Sequence, residues 1–154
     1  MEPDYPEFLA KRLRSLGMID SIRMVGKQAN IPEWMQAMDV VVHASDREPF
    51  GLVVAEAMFL GKPVIATVPG GPGEMVRDGE NGLLVSHGDA KALADAIENF
   101  LQDPDFAAAC GHRAHKSALE FDSSLYARKV LNTINDLEAD LGKRHPATAA
   151  KASR

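Results

Sequence analysis

The sequence predicts an α/β fold: a Rossmann-like parallel sheet of about four strands, flanked by helices and followed by a helical C-terminal segment. Three observations point there. Runs rich in Val, Ile and Leu recur at residues 21–25, 39–45, 63–68 and 83–85. Between them lie stretches with apolar residues at helical spacing. The order strand, turn, helix then repeats along the chain, as parallel strands require.

Taken in order, residues 5–16 place Phe8, Leu9, Leu13 and Leu16 in an amphipathic pattern with Lys11, Arg12 and Arg14, and Gly17 stops the helix. Residues 21–25 form a short strand candidate ending at Gly26. The loop 27–30 leads to a helix over 32–38, with Pro32 at its first position. Residues 39–45 read as a buried strand, and residues 63–68 as a third strand rich in β-branched side chains. Pro69-Gly70-Gly71-Pro72-Gly73 suits neither regular element. Its glycines either let backbone approach a ligand or simply make a tight turn; leaving the same sheet edge as Glu48, the loop favours the ligand reading for Gly70 and Gly71. Residues 74–77 suggest a helical turn, 78–82 a structural turn cluster, and 83–85 the fourth strand. Asp89 is a candidate N-cap for a helix whose core face is Leu93, Ile97, Phe100 and Leu101. Pro104 opens another helix to about residue 121. Ser123 or Ser124 is expected to cap a last one with Leu125, Tyr126, Val130, Leu131, Ile134, Leu137 and Leu141 on its stripe. The tail 143–154 is basic, small and expected to be disordered, leaving 1–142 as the domain.

The informative stretch is Glu48-Pro49-Phe50-Gly51-Leu52-Val53-Val54-Ala55-Glu56. Glu48 falls in the turn at the carboxyl end of a strand, where parallel sheets bind ligands. The helix behind it offers unpaired amides over Phe50, Gly51, Leu52 and Val53, a seat for phosphate. Glu56 has apolar neighbours on every side, so that helix is expected to be mostly buried. A carboxylate there needs hydrogen-bond donors. Ribose or sugar hydroxyls would serve; a structural ion pair or a solvated helix edge is the plainer alternative. Both acids are expected to face one cleft.

The two acids, with Phe-Gly-Leu-Val between them, resemble the E-x7-E signature of retaining GT-B glycosyltransferases of family 4, also called group 1. Gly61-Lys62-Pro63-Val64-Ile65-Ala66-Thr67, Gly70-Gly71, Glu74-Met75-Val76-Arg77-Asp78-Gly79 and Asn81-Gly82-Leu83-Leu84-Val85 follow in the family's order. The departure is Pro72-Gly73 before Glu74, where the family more often has a Gly-Gly-x-Pro-Glu order. The resemblance spans about residues 6–140 and implies the C-terminal, nucleotide-sugar-binding half of a GT-B enzyme. It implies that the helix amides meet the diphosphate, Glu56 the ribose and Glu48 the transferred sugar, with Glu48 binding and stabilising charge rather than attacking. It nominates Lys27, Gln28 and Ile31 as neighbours of the base or sugar, although an ordinary connecting loop explains each equally well. Ser45 resembles the small polar residue before the family's acidic loop. His43, beside Glu48, is either a satisfied core histidine or a contact to a sugar hydroxyl. The chemistry implied needs no metal or other cofactor.

The resemblance also marks absences. Nothing resembles the acceptor-binding N-terminal domain, or the opening strand-helix unit of the donor domain with its Gly-Arg and Lys-Gly motifs. The chain is therefore expected to be N-terminally truncated, inactive alone, and to need an acceptor domain or partner chain. Unpaired strand edges invite self-association. A sugar-nucleotide epimerase and a non-catalytic binding or interaction module are the competing readings. The net charge of −5 and the lack of a basic stripe argue against nucleic acid. Cys110, the single cysteine, excludes an internal disulfide and suits a reducing compartment. Met1-Glu2-Pro3-Asp4 does not read as a signal peptide, and no apolar run approaches the ~20 residues of a membrane span. A cytoplasmic location is expected, with a membrane-peripheral one open for the full-length protein. Cys110, His112 and His115 share a helix, but Cys110 points away from His112, so no metal site is expected there.

Overall fold

The computed structural model describes residues 5–119, so the expected last helix and basic tail lie outside the described residues. The described residues fall into two compact units divided between Ile31 and Pro32.

The first unit holds helix α1, Tyr5–Ser15. Glu7 in its first turn and Arg12 and Arg14 in its last complement the helix dipole, and Lys11 pairs with Glu7 at 3.0 Å. None of its residues is buried. The expected strand over 21–25 does not form: residues 22–28 are in neither helix nor strand, and Ile22, Met24 and Val25 stay exposed. A strand needs a partner for its amides and carbonyls, and β-branched composition alone supplies none.

Helix α2 (Ile31–Ala37), which lies in the second unit from Pro32 on, leads to strand β1 (Val41–His43). Helix α3 (Leu52–Phe59), strand β2 (Val64–Val68), helix α4 (Pro72–Met75), strand β3 (Leu83–Ser86), helix α5 (Ala90–Gln102) and helix α6 (Pro104–Ala118) follow. The fold class is as the sequence predicts, but the sheet has three strands among the described residues, all parallel in the order β1-β2-β3. Strand β2 is central and covered on both faces. Val64 and Ala66 enter a core with Val54, Ala57, Met58 and Ala114, while Ile65 enters the opposite core with Val85, Phe100 and Cys110. That is the two-residue alternation of a strand buried on both sides.

Local chemistry sets the helix starts. The Asp89 carboxylate accepts from the Ala92 amide at 2.8 Å, and that of Asp103 accepts from the Phe106 amide at 2.9 Å. Helix α4 takes up Pro72 and Gly73, two residues before the expected helical turn, because Pro72 is preset for a first helical position. The turn after α4 hangs on Asn81, which is fully buried. Its Oδ1 accepts from the Arg77 amide at 2.6 Å, and its Nδ2 donates to the Met75 carbonyl at 3.2 Å and to Ser117 Oγ at 3.1 Å. These bonds tie the turn to α6.

Helix α3 corrects one expectation. Only Val54, Ala57 and Met58 are buried in it; Leu52, Val53, Glu56 and Phe59 are exposed. Apolar side chains all round a helix bury it only where a second layer covers its outer face.

Candidate functional site

Because the strands are parallel, His43, Val68 and Ser86 end at one sheet edge, and the loops after them form one rim. Thr67 Oγ1 fastens that rim by donating to the Ser45 carbonyl at 2.5 Å, so Ser45 serves here through its backbone. The His87 amide donates to the Val68 carbonyl at 3.0 Å.

Glu48 is held from two sides. Its Oε1 accepts from the Gly51 amide at 2.9 Å and from the Phe50 amide at 3.3 Å. Its Oε2 lies 3.5 Å from His43 Nε2. Two of the four amides assigned to phosphate are therefore occupied by the protein's own carboxylate. Helix α3 begins at Leu52, and the first α3 amide with a backbone acceptor is that of Ala55, which bonds the Gly51 carbonyl at 3.0 Å. Among the described residues the Leu52 and Val53 amides have no acceptor, as a helix start leaves them.

Gly70 and Gly71 work largely as packing residues. The Gly71 amide donates to the Glu48 carbonyl at 2.8 Å. A Cβ on Gly71 would lie 2.5 Å from the Phe50 Cα and from the Pro49 and Phe50 carbonyl oxygens; one on Gly70, at φ 150°, would lie 2.9 Å from the Glu48 carbonyl oxygen. Gly51, at φ 92°, abuts the Pro72 ring in the same way. The two loops thus meet backbone to backbone, and glycine is what lets them. Gly70 still borders open space: it lines a cavity of about 660 Å³ with Arg47, Glu48, Pro69, Ser86 and His87.

Glu56 does not face that cavity. It lines a separate one of about 460 Å³ with Pro32, Leu52, Ala55, Phe59 and Leu60. The single cleft expected for both acids is therefore two cavities. Leu52 and Glu56, one helical turn apart on one face, share the second. Among the described residues the Glu56 carboxylate has neither a hydrogen bond nor an ion pair.

Gln28, half-buried, donates to the Val25 carbonyl at 2.5 Å within the first unit, and Ile31 is exposed at its end. His43 lines neither cavity. Sequence reasoning missed Asp46, Arg47 and His87. His87 Nε2 sits 3.3 Å from Asp46 Oδ1, joining the loops after β1 and β3. The shared carboxyl edge of parallel strands was the signal that could have nominated them. Cys110 is buried in the core with Ile65 and Val85, and desolvation raises its thiol pKa. His115 Nδ1 lies 2.5 Å from the Phe59 carbonyl. Among the described residues no three side chains of metal-ligating type come together, and no helix is long and apolar enough to cross a membrane.

A carboxylate is thus fixed at the carboxyl edge of a parallel sheet, beside bare helix amides, where α/β sheets bind ligands, and residues 2–117 match the family Glycosyl transferases group 1. The chain belongs to that family. It is 38% identical over 132 residues to the lipopolysaccharide core biosynthesis mannosyltransferase LpsB of Rhizobium meliloti, covering 84% of this chain and 38% of LpsB. It is 39% identical over 133 residues to a D-inositol 3-phosphate glycosyltransferase of Streptomyces scabiei, covering 83% of this chain and 30% of the relative. The chain thus spans well under half the length of these relatives. Among solved structures it is similar to Anabaena HepE in complex with UDP, with a TM-score of 0.82 and 34% identity over 88% of this chain and 38% of HepE. It is also similar to the C-terminal domain of the group 1 glycosyl transferase LpcC of Francisella tularensis, with a TM-score of 0.67 and 29% identity over 77% of this chain and 62% of that one. The fold is that of GT-B glycosyltransferases.

Proposed function

We propose that this chain is the donor-binding part of a retaining, family 4 glycosyltransferase that takes its sugar from a nucleoside diphosphate. The observation that carries the reading is the Glu48 carboxylate, pinned by two amides at the carboxyl edge of the sheet and bordering an open cavity. A ligand laid across the tip of α3 would place its sugar hydroxyls at Glu48, its diphosphate on the Leu52 and Val53 amides, and its ribose at Glu56. The two cavities then hold the two ends of one molecule. Amides aimed at the departing diphosphate stabilise charge as the sugar–oxygen bond breaks. Glu48, already engaged through both oxygens, suits electrostatic support better than nucleophilic attack. Family resemblance supports a step without metal, completed by an acceptor-binding domain or partner chain and carried out in the cytoplasm.

Titration calorimetry of the full chain with UDP, GDP and ADP tests this. Binding of one of them, weakened by Glu56→Ala, is the expected result; no binding of any refutes it. The outer edge of β1 has no strand partner among the described residues, and Val42 is 40% exposed there. This supports self-association through strand edges, and a monomer in sedimentation at high concentration would count against it.

A further inference from the structure

We propose that His43 is a positioning residue for Glu48: its neutral imidazole holds Oε2 through an Nε2–H donor, fixing which lone pairs the carboxylate presents to the cavity. The inference deepens the reading of Glu48 as the acceptor for donor-sugar hydroxyls and rests on it. Glu48 Oε1 is committed to the Phe50 and Gly51 amides, so the direction of Oε2 decides what the carboxylate can offer. His43 Nε2 is the side-chain group beside it, at 3.5 Å, with the two side chains 16% and 29% exposed. Such contacts are often long in an unliganded site and tighten with substrate. The other ring nitrogen, Nδ1, is buried and has no hydrogen-bond partner among the described residues.

That asymmetry selects the tautomer. A proton on Nδ1 would bury a donor with nothing to accept it and turn the Nε2 lone pair toward a carboxylate. A proton on Nε2 leaves only a bare lone pair inside and points N–H at Oε2. An unsatisfied buried donor is the costlier fault. Neither ring nitrogen faces the cavity, so His43 acts through Glu48 and not on the sugar.

The test has two arms on the full chain. Nitrogen-15 NMR of the histidine ring is expected to show the neutral Nε2–H form for His43. The Phe50 and Gly51 amide resonances should shift in His43→Leu and return in His43→Gln, whose side-chain amide donates from nearly the same place. In calorimetry, the affinity gained by UDP-glucose over UDP should fall on the order of tenfold in His43→Leu and be kept in His43→Gln, with UDP itself unaffected. An Nδ1–H tautomer overturns the proposal. So does a leucine variant with unchanged amide resonances and sugar gain, or a glutamine variant that fails to restore them. If wild type binds no nucleotide, the functional reading falls, while the ring tautomer and the amide shifts still decide His43. Should the leucine variant not fold, the wild-type tautomer decides alone.

Discussion

The two acids of the E-x7-E stretch sit in opposite circumstances. Glu48 touches two amides and a histidine and is part of the loop's own architecture. Glu56 is exposed on α3, and its carboxylate bonds to nothing among the described residues. One carboxylate shapes the rim; the other leaves its lone pairs free. A pair of residues from one motif therefore divides into a carboxylate built into its own loop and one left unpartnered on the helix surface. Stability and binding measurements should separate them.

The severest break in the comparison is Gly71→Ala. Its methyl would enter the Pro49–Phe50 backbone at 2.5 Å, pushing apart the loops that hold Glu48. A loss of about 3 kcal/mol, read from the urea midpoint, is expected. Next is Glu56→Ala, expected to leave stability within about 0.5 kcal/mol while weakening nucleotide binding roughly tenfold by calorimetry. Glu48→Ala should show the reverse emphasis in stability, lowering it by about 1 kcal/mol through loss of its bonds to the helix-start amides. Equal thermal shifts for the two alanine variants would erase the distinction.

The smallest effect expected is one of pH and involves neither acid. Burial raises the Cys110 pKa above its ordinary 9.0, so the folded chain keeps the thiol protonated where the unfolded chain ionises. Its contribution is fully present below about pH 9 and is lost as pH rises through the higher folded value. Unfolding free energies from pH 7 to 10.5 should fall less steeply in Cys110→Ser than in wild type over the alkaline part. Identical slopes would count against it.

Where the chain's punctuation carries its own physics, the sequence is legible. Asp89 caps the helix that follows it, Pro104 opens the next one, and the run 63–68 holds the strand β2. The stretch 21–25 shows the limit: its composition suits a strand, yet pairing depends on a neighbour that composition cannot supply. Glu56 shows it again, since whether an apolar helix is covered depends on what packs outside it. Glu48 was found through its place after a strand, but its tether to Phe50 and Gly51 was not, because an acid that caps its own loop and one that awaits a ligand have the same spelling. His87 and Asp46 were overlooked because they meet only once β1 and β3 are aligned around β2.

The parallel ladder runs β1, β2, β3 in chain order, with β1 on the border. No strand must be slipped between two already in place. A further parallel strand could dock on that border without any existing segment being re-threaded, meeting an edge that already offers main-chain groups at the right spacing. The architecture is thus extensible at the β1 border.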